Sequence, residues 1–337
     1  MKPRDLLALI TLGALWGASF LFIRVAAPTL GPFALVELRV GIAGTVLLLY
    51  AAVASRVPEI WRRWKGFLIL GTLNAAVPYS LIASAEVNLT ASLGAILNST
   101  TALFTALVAS VWIGEALTKG KLLGLLLGFG GVAVLVGWHP VPLSGVVLLS
   151  GGAVLAGSLS YAVATVYAKR AFAGEKPLAM AVGQQAGAEI VLLPFAAATV
   201  PREAPPLSVG LSALALALLC TAVAYLLYFR LVATVGPTAT STVTFLVPAF
   251  GVLFGVLFLG EPLGAGTLAG LGTILLGVAL ATGVRPAPPE KPGLPVRTLR
   301  GRRDAEGAEG RPPGLPGRIE RPATLRQEEA PLHGRGV

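Results

Sequence analysis

Apolar residues in this chain run in continuous stretches of about 20, each long enough to cross roughly 30 Å of hydrocarbon as a helix. Short segments rich in Gly, Pro and charge separate them. Such runs predict helices at about 6–26, 33–54, 66–86, 92–113, 122–138, 145–169, 178–199, 208–230, 238–259 and 264–284. Continuous runs, rather than alternation at every second position, speak against strands. The pattern therefore predicts an all-α integral membrane protein with ten transmembrane helices. The basic start Met1-Lys2-Pro3-Arg4 resembles a signal peptide, but no small-x-small cleavage site precedes a hydrophilic start, so the first helix reads as uncleaved.

The pattern is also written twice. A shift that carries Phe104 onto Phe250 carries Leu107 onto Leu253, Gly114-Glu115 onto Gly260-Glu261, Leu117 onto Leu263 and Gly131-Val132-Ala133 onto Gly277-Val278-Ala279, without a gap. Carried back, the same register sets Ala76-Val77 on Ala222-Val223 and Tyr79 on Tyr225. The reading is two five-helix repeats, 1–138 and 139–284, followed by a tail at 285–337. An odd number of spans per half makes equivalent helices run in opposite directions. The expectation is two inverted five-helix repeats, a recurrent build of secondary transporters.

Charge changes the picture in two ways. Only 12% of the 337 residues are charged, against 55% hydrophobic, about half the charged fraction of a soluble domain. The net charge of +10 would point to nucleic acid in a soluble protein. Here the cations fall in alternate short loops: Lys2, Arg4, Arg56, Arg62, Arg63, Lys65, Lys119, Lys121, Lys169, Arg170, Lys176 and Arg230 on one side, Arg202 and Arg24 on the other. By the positive-inside rule both termini are cytoplasmic, and the charge is a topology signal in an inner or plasma membrane rather than a nucleic-acid surface. The tail mixes Pro, Gly and charges of both signs with almost no apolar clustering, so disorder in the cytoplasm is expected.

Chemistry-bearing motifs are sparse. Gly264-x-Gly266-x-x-x-Gly270 resembles a dinucleotide loop but opens an apolar span and follows no strand. Small residues four apart, Gly13/Gly17, Gly124/Gly128, Gly251/Gly255 and Gly266/Gly270, are expected to pack helices closely in lipid. They do not establish a homodimer, with which the sequence is compatible. Of two glycosylation-type triplets, Asn98-Ser99-Thr100 lies inside a span. Cys220 has no intrachain partner, and the histidines, His139 and His333, lie in a loop and the tail. No cofactor, metal site or catalytic residue is predicted, so the chain is not read as an enzyme. A lipid-modifying enzyme or a passive channel is the alternative class.

Polar groups inside spans are costly and line cavities or pair with one another. Glu189 lies near the middle of the seventh span with Gln185 one turn earlier; a carboxyl at that depth is suited to taking up and releasing a proton. Glu37 and Arg39 sit in the second span and point to nearly opposite sides, Arg39 as a gate or a snorkel to the headgroups. In the repeat register Arg39 falls on Gln185. Glu86 is expected to be solvated at the end of the third span. Trp16, Asn74, Tyr79, Asn98, Tyr161, Gln184, Gln185 and Tyr225 are the candidate lining of a substrate site, suited to an amphipathic small molecule. Pro78, Pro194 and Pro248 are expected to kink their helices. The Gly-Glu turns at Glu115 and Glu261 are expected to be structural.

Several short stretches, in this order, resemble the drug/metabolite transporter superfamily, in particular EamA-type carriers. They are Leu15-Trp16-Gly17-Ala18-Ser19-Phe20, Glu37-Leu38-Arg39 after Gly31-Pro32, Gly114-Glu115-Ala116-Leu117-Thr118, Val247-Pro248 and Gly260-Glu261-Pro262-Leu263. The resemblance covers about 1–284. It departs at Ala102, where the family pattern often has the proline found at Pro248, and Glu189 belongs to none of its motifs. The resemblance implies a secondary transporter that exports amino acids, other metabolites or drug-like solutes, with proton exchange as the usual energy source.

Overall fold

The structure is a computed structural model that describes residues 2–54, 60–138 and 144–282. Arg56, His139, His333 and the tail at 285–337 lie outside the described residues. Among the described residues every regular element is helical. In chain order these are α1 (Pro3–Leu30), α2 (Pro32–Val53), α3 (Ile60–Glu86), α4 (Ala91–Ile113), α5 (Lys119–Gly137), α6 (Gly145–Ala171), α7 (Pro177–Ala198), α8 (Leu207–Val235), α9 (Val243–Leu259) and α10 (Ala265–Thr282). A short turn of helix, Pro237–Thr240, precedes α9.

Seven of these, α1–α4 and α6–α8, are long and apolar enough to cross a membrane, while α9 is a shorter apolar helix, as is α10 over Ala265–Ala281. The outward surface is apolar: Leu7, Val53, Val111, Leu126, Leu149, Leu207, Leu257 and Phe258 are all exposed. Arg39, Gln184, Gln185 and Glu86 are buried. A water-soluble protein distributes these groups the other way, so the chain is a multi-pass membrane protein.

Local sequence sets the corners. Gly31 alone joins α1 to α2, at φ 76°, where a side chain would be strained, and Pro32 opens α2 at a position whose missing N–H costs nothing. Thr90 caps α4 by accepting from Leu93 N at 3.2 Å. Both α4 and α9 stop at a left-handed glycine, Gly114 and Gly260. Two helices are irregular in the middle. A π turn occupies Thr72–Ala76 in α3 and another Leu218–Val223 in α8. Pro78 cannot donate to the Asn74 carbonyl, and Val77 N reaches back to Thr72 O instead. In α8 no proline is involved; the Thr221 hydroxyl donates to Leu216 O at 2.9 Å. Pro194 and Pro248 sit inside α7 and α9 without interrupting either helix.

Packing follows the small residues. α5 lies antiparallel along α10: Gly124 meets Gly277 and Ala281, Gly131 meets Ile274, and Gly270 meets Leu135. A Cβ on Gly131 would stand 2.8 Å from Ile274 Cγ1, closer than nonbonded carbons approach. Gly13 and Gly17 of α1 likewise seat Leu246 and Phe250 of α9. α2 packs on α7 and α8, α3 on α6 and α7, α4 on α6 and α9, and α1 on α8 and α9.

Candidate functional site

The two π turns face the middle of the bundle and set its polar centre. Arg39 leaves α2 inward, 6% exposed. Its Nε donates to the Thr221 hydroxyl at 2.9 Å, and its Cζ stands 3.7 Å from the centroid of the Tyr79 ring. Arg39 therefore does not snorkel to the headgroups. The hydroxyl offered by the α8 π turn and the π face of Tyr79 hold it inside instead.

Around this guanidinium the chain assembles a connected set of neutral polar groups. The Asn74 amide donates to Gln184 Oε1 at 2.7 Å. The Gln184 amide in turn donates to the Tyr225 hydroxyl at 2.5 Å. The Tyr79 and Tyr161 rings meet edge to face, their centroids 6.2 Å apart, and both lie within electrostatic reach of Tyr225. Of the sequence-predicted lining, Asn74, Tyr79, Tyr161, Gln184 and Tyr225 thus come together with Arg39.

The other candidates lie apart from that set. Trp16 packs with Tyr228, centroids 5.8 Å apart, in a cluster between α1, α8 and α9. Asn98 sits at the turn that breaks α4 and accepts from the Ser158 hydroxyl at 3.4 Å. Gln185 is fully buried with both side-chain polar atoms unpartnered among the described residues, facing Gly44. Glu37 and Glu189 are half-buried carboxyls of α2 and α7 within electrostatic reach of one another, and Glu37 Oε2 has no partner among the described residues. Glu189 packs beside Gly41, 3.6 Å from where a Cβ there would stand.

Glu86 corrects an expectation. It is fully buried, not solvated, and neither carboxylate oxygen has a hydrogen-bond partner among the described residues. Gly94 of α4 lies against it: a Cβ there would stand 3.0 Å from Glu86 Oε1. Arg24 serves the backbone beside it, donating to the carbonyls of Glu86 at 2.5 Å and Val87 at 2.8 Å.

The two Gly-Glu turns behave differently. Glu261 sits on the amino end of α4, where its carboxylate accepts from Ala91 N at 2.6 Å, Ser92 N at 2.9 Å and the Ser92 hydroxyl at 2.5 Å. Free N–H groups and the helix dipole make that end a good seat for an anion. Glu115 instead pairs with Lys169 at 2.7 Å and Lys121 at 3.3 Å, and their hydrogen bonds hold its carboxyl below the usual carboxylate range. Sequence reasoning missed this use of Glu261, and missed Thr221 and Ser92 as partners. The repeated Gly-Glu pair was its only signal.

At the basic end of the bundle a cavity of about 300 Å³ is lined by Arg62, Arg63, Trp64, Lys65, Gly66, Ala171 and Phe172. Arg63 there also contacts Glu175 at 3.7 Å. Among the described residues no cluster of three or more His, Cys, Asp or Glu side chains is placed to hold a metal ion. The polar centre combines amide and hydroxyl donors and acceptors, two aromatic faces and one guanidinium.

Residues 4–137 and 148–283 match the EamA-like transporter family. An uncharacterized transporter of Archaeoglobus fulgidus is 24% identical over 82% of this chain and 98% of its own length. The uncharacterized transporter YvbV of Bacillus subtilis is 28% identical over 83% of this chain and 92% of its own. The uncharacterized inner membrane transporter YedA of Escherichia coli K12 is 27% identical over 84% and 93% respectively. One crystal structure shares the fold with a TM-score of 0.60 at 20% identity, covering 84% of this chain and 97% of the other.

Proposed function

Since the chain belongs to the EamA-like transporter family, we propose that this transporter is a secondary carrier that exports a small organic metabolite by alternating access. Two inverted five-helix halves, 1–138 and 139–284, rock about a site at the polar centre, in a cell membrane with both termini cytoplasmic. The observation that carries this reading is a symmetric set of helix contacts combined with an asymmetric pair of Gly-Glu turns.

In the register that sets Phe104 on Phe250, α1 corresponds to α6, α2 to α7, α3 to α8, α4 to α9 and α5 to α10. The observed packing of α1 on α9 then has its counterpart in α6 on α4, that of α1 on α8 in α6 on α3, and that of α2 on α8 in α7 on α3. The pairs α2 with α7 and α5 with α10 map onto themselves. The π turns begin at Thr72 and Leu218, which the register also superposes. Glu261, however, is docked on α4, while its counterpart Glu115 is held by lysines. Exchanging the halves would bring Glu115 to the short helix Pro237–Thr240, whose first residues correspond to Ala91 and Ser92. One gate closed and its mate open is what a single state of an alternating-access cycle requires.

Export follows from the family resemblance. The carboxyls Glu37 and Glu189, on the neighbouring helices α2 and α7, are the proposed proton-exchange pair, because acids inside membrane spans are costly and mark proton paths. Accumulation of a solute panel in proteoliposomes under an imposed pH gradient tests both parts. Wild type should concentrate a solute against its gradient, and Glu189→Gln should exchange but not concentrate it. A variant that concentrates as well as wild type removes Glu189 from coupling. A panel of which wild type moves nothing removes the carrier reading for these solutes.

A further inference from the structure

We propose that Arg39 is the anion-binding residue of the substrate site, and that the transported solute is a monocarboxylate with an apolar or aromatic body. This inference deepens the carrier reading and rests on it. It starts from an unbalanced group. Arg39 is an obligate cation, 6% exposed, in the interior of a membrane protein. A buried charge is costly unless paired, yet among the described residues Arg39 makes no salt bridge to a carboxylate. Its Nε is committed to Thr221 and its upper face to Tyr79. The terminal nitrogens, Nη1 and Nη2, have no acceptor among the described residues.

That arrangement fixes the plane and the direction of a guanidinium fork while leaving the fork itself unfilled. A carboxylate is the group that matches it with two parallel hydrogen bonds. The rest of the shell is neutral and suits the rest of such a solute. Tyr79 and Tyr161 offer aromatic surface, and the chain Asn74, Gln184, Tyr225 offers amide and hydroxyl contacts. A single cation argues against a doubly charged phosphate, which would need a second positive group in so dry a site. Glu86 is the buried carboxyl within electrostatic reach of Arg39. It lies two helical turns beyond Tyr79 and forms no ion pair with Arg39, so it leaves the fork open.

The test uses three probes with one hydrocarbon body: hydrocinnamate, hydrocinnamamide and phenylpropylamine. Uptake into proteoliposomes is measured beside the shift in melting temperature of the purified protein. Wild type should move hydrocinnamate at least about tenfold better, in kcat/KM, than the amide or amine, and only hydrocinnamate should raise the melting temperature. Arg39→Gln should lose the preference for the carboxylate while amide transport persists, and Arg39→Lys should keep part of it. Equal handling of all three probes by wild type, or a preference that survives in Arg39→Gln, overturns the proposal while leaving the carrier reading intact. Stabilisation by hydrocinnamate without its transport leaves the anion site standing, overturns this solute class as the cargo and removes the carrier reading for these solutes. Neither stabilisation nor transport by hydrocinnamate overturns the anion site. Should Arg39→Gln fail to fold, the wild-type selectivity and Arg39→Lys decide.

Discussion

Replacing Glu261 by Gln should unlatch one side of the bundle. The carboxylate accepts three hydrogen bonds from the first turn of α4, at 2.5 to 2.9 Å, and places a negative charge at a helix amino end. Hydrogen bonds to a charged group contribute about 1.5–3 kcal/mol each, and the helix-end charge about 0.3–1 kcal/mol. Gln keeps one acceptor oxygen but turns an amide N–H₂ toward donors and loses the charge. A net loss of about 2–4 kcal/mol from the latched state follows, or about 30- to 1,000-fold in the ratio of closed to open. The chain supplies its own reporter. Its single cysteine, Cys220, is fully buried at the α8 π turn. A small membrane-impermeant thiol reagent, added to the side on which Glu261 lies, should label Cys220 at least about tenfold faster in Glu261→Gln than in wild type. Ser92→Ala should fall between them. Unchanged labelling in a Glu261→Gln protein that still folds would show that the contact is a static cap, and the gating argument would fail.

Three further outcomes follow. Glu115 has its carboxyl held below its ordinary value of 4.5 by Lys169 and Lys121, so its contribution is complete above that value and is lost as pH falls through the lower, folded-state value. Because its side chain is 38% exposed, Glu115→Gln should lower the stability at pH 7 by no more than about 0.5–1 kcal/mol, and by progressively less as pH falls through the folded-state value, as read from melting in detergent. Gly131→Leu should push α5 off α10 and cost about 3 kcal/mol or more, measured as a lowered melting temperature, whereas a Leu at Gly130, where a Cβ meets nothing within 4 Å, should be tolerated. Tyr225→Phe removes the acceptor of the Gln184 amide and should raise KM several-fold with little change in kcat.

Much of this architecture is written in the chain because lipid constrains it so strongly. Helices follow from run length, and the structure moves most of their ends by a few residues, with α1 running on from Pro3 to Leu30 and α3 beginning already at Ile60; seven of the helices are long and apolar enough to span. The repeat superposed Tyr79 on Tyr225, which the structure brings near one another, and the glycine spacing anticipated close helix packing of the kind α5 makes with α10. What escaped depends on partners distant in sequence. Whether Glu86 meets water is decided by the packing of α4, whose Gly94 lies against it. Whether Arg39 turns outward or inward is decided by Thr221, far along the chain, which a π turn presents. Pro78 hints at the irregularity in α3, but Ala224 at the corresponding place in α8 gives no such hint. A capping carboxylate such as Glu261 looks like any loop acid until its helix end is known.

Counterflow bears most directly on the central claim. Proteoliposomes preloaded with unlabelled solute are diluted into a trace of the labelled form, and the labelled solute inside is followed in time. Alternating access predicts a transient accumulation well above the outside concentration, abolished when the internal load is omitted. Simple equilibration of label, with a rate that rises without saturation and ignores the load, would contradict a carrier and identify a pore.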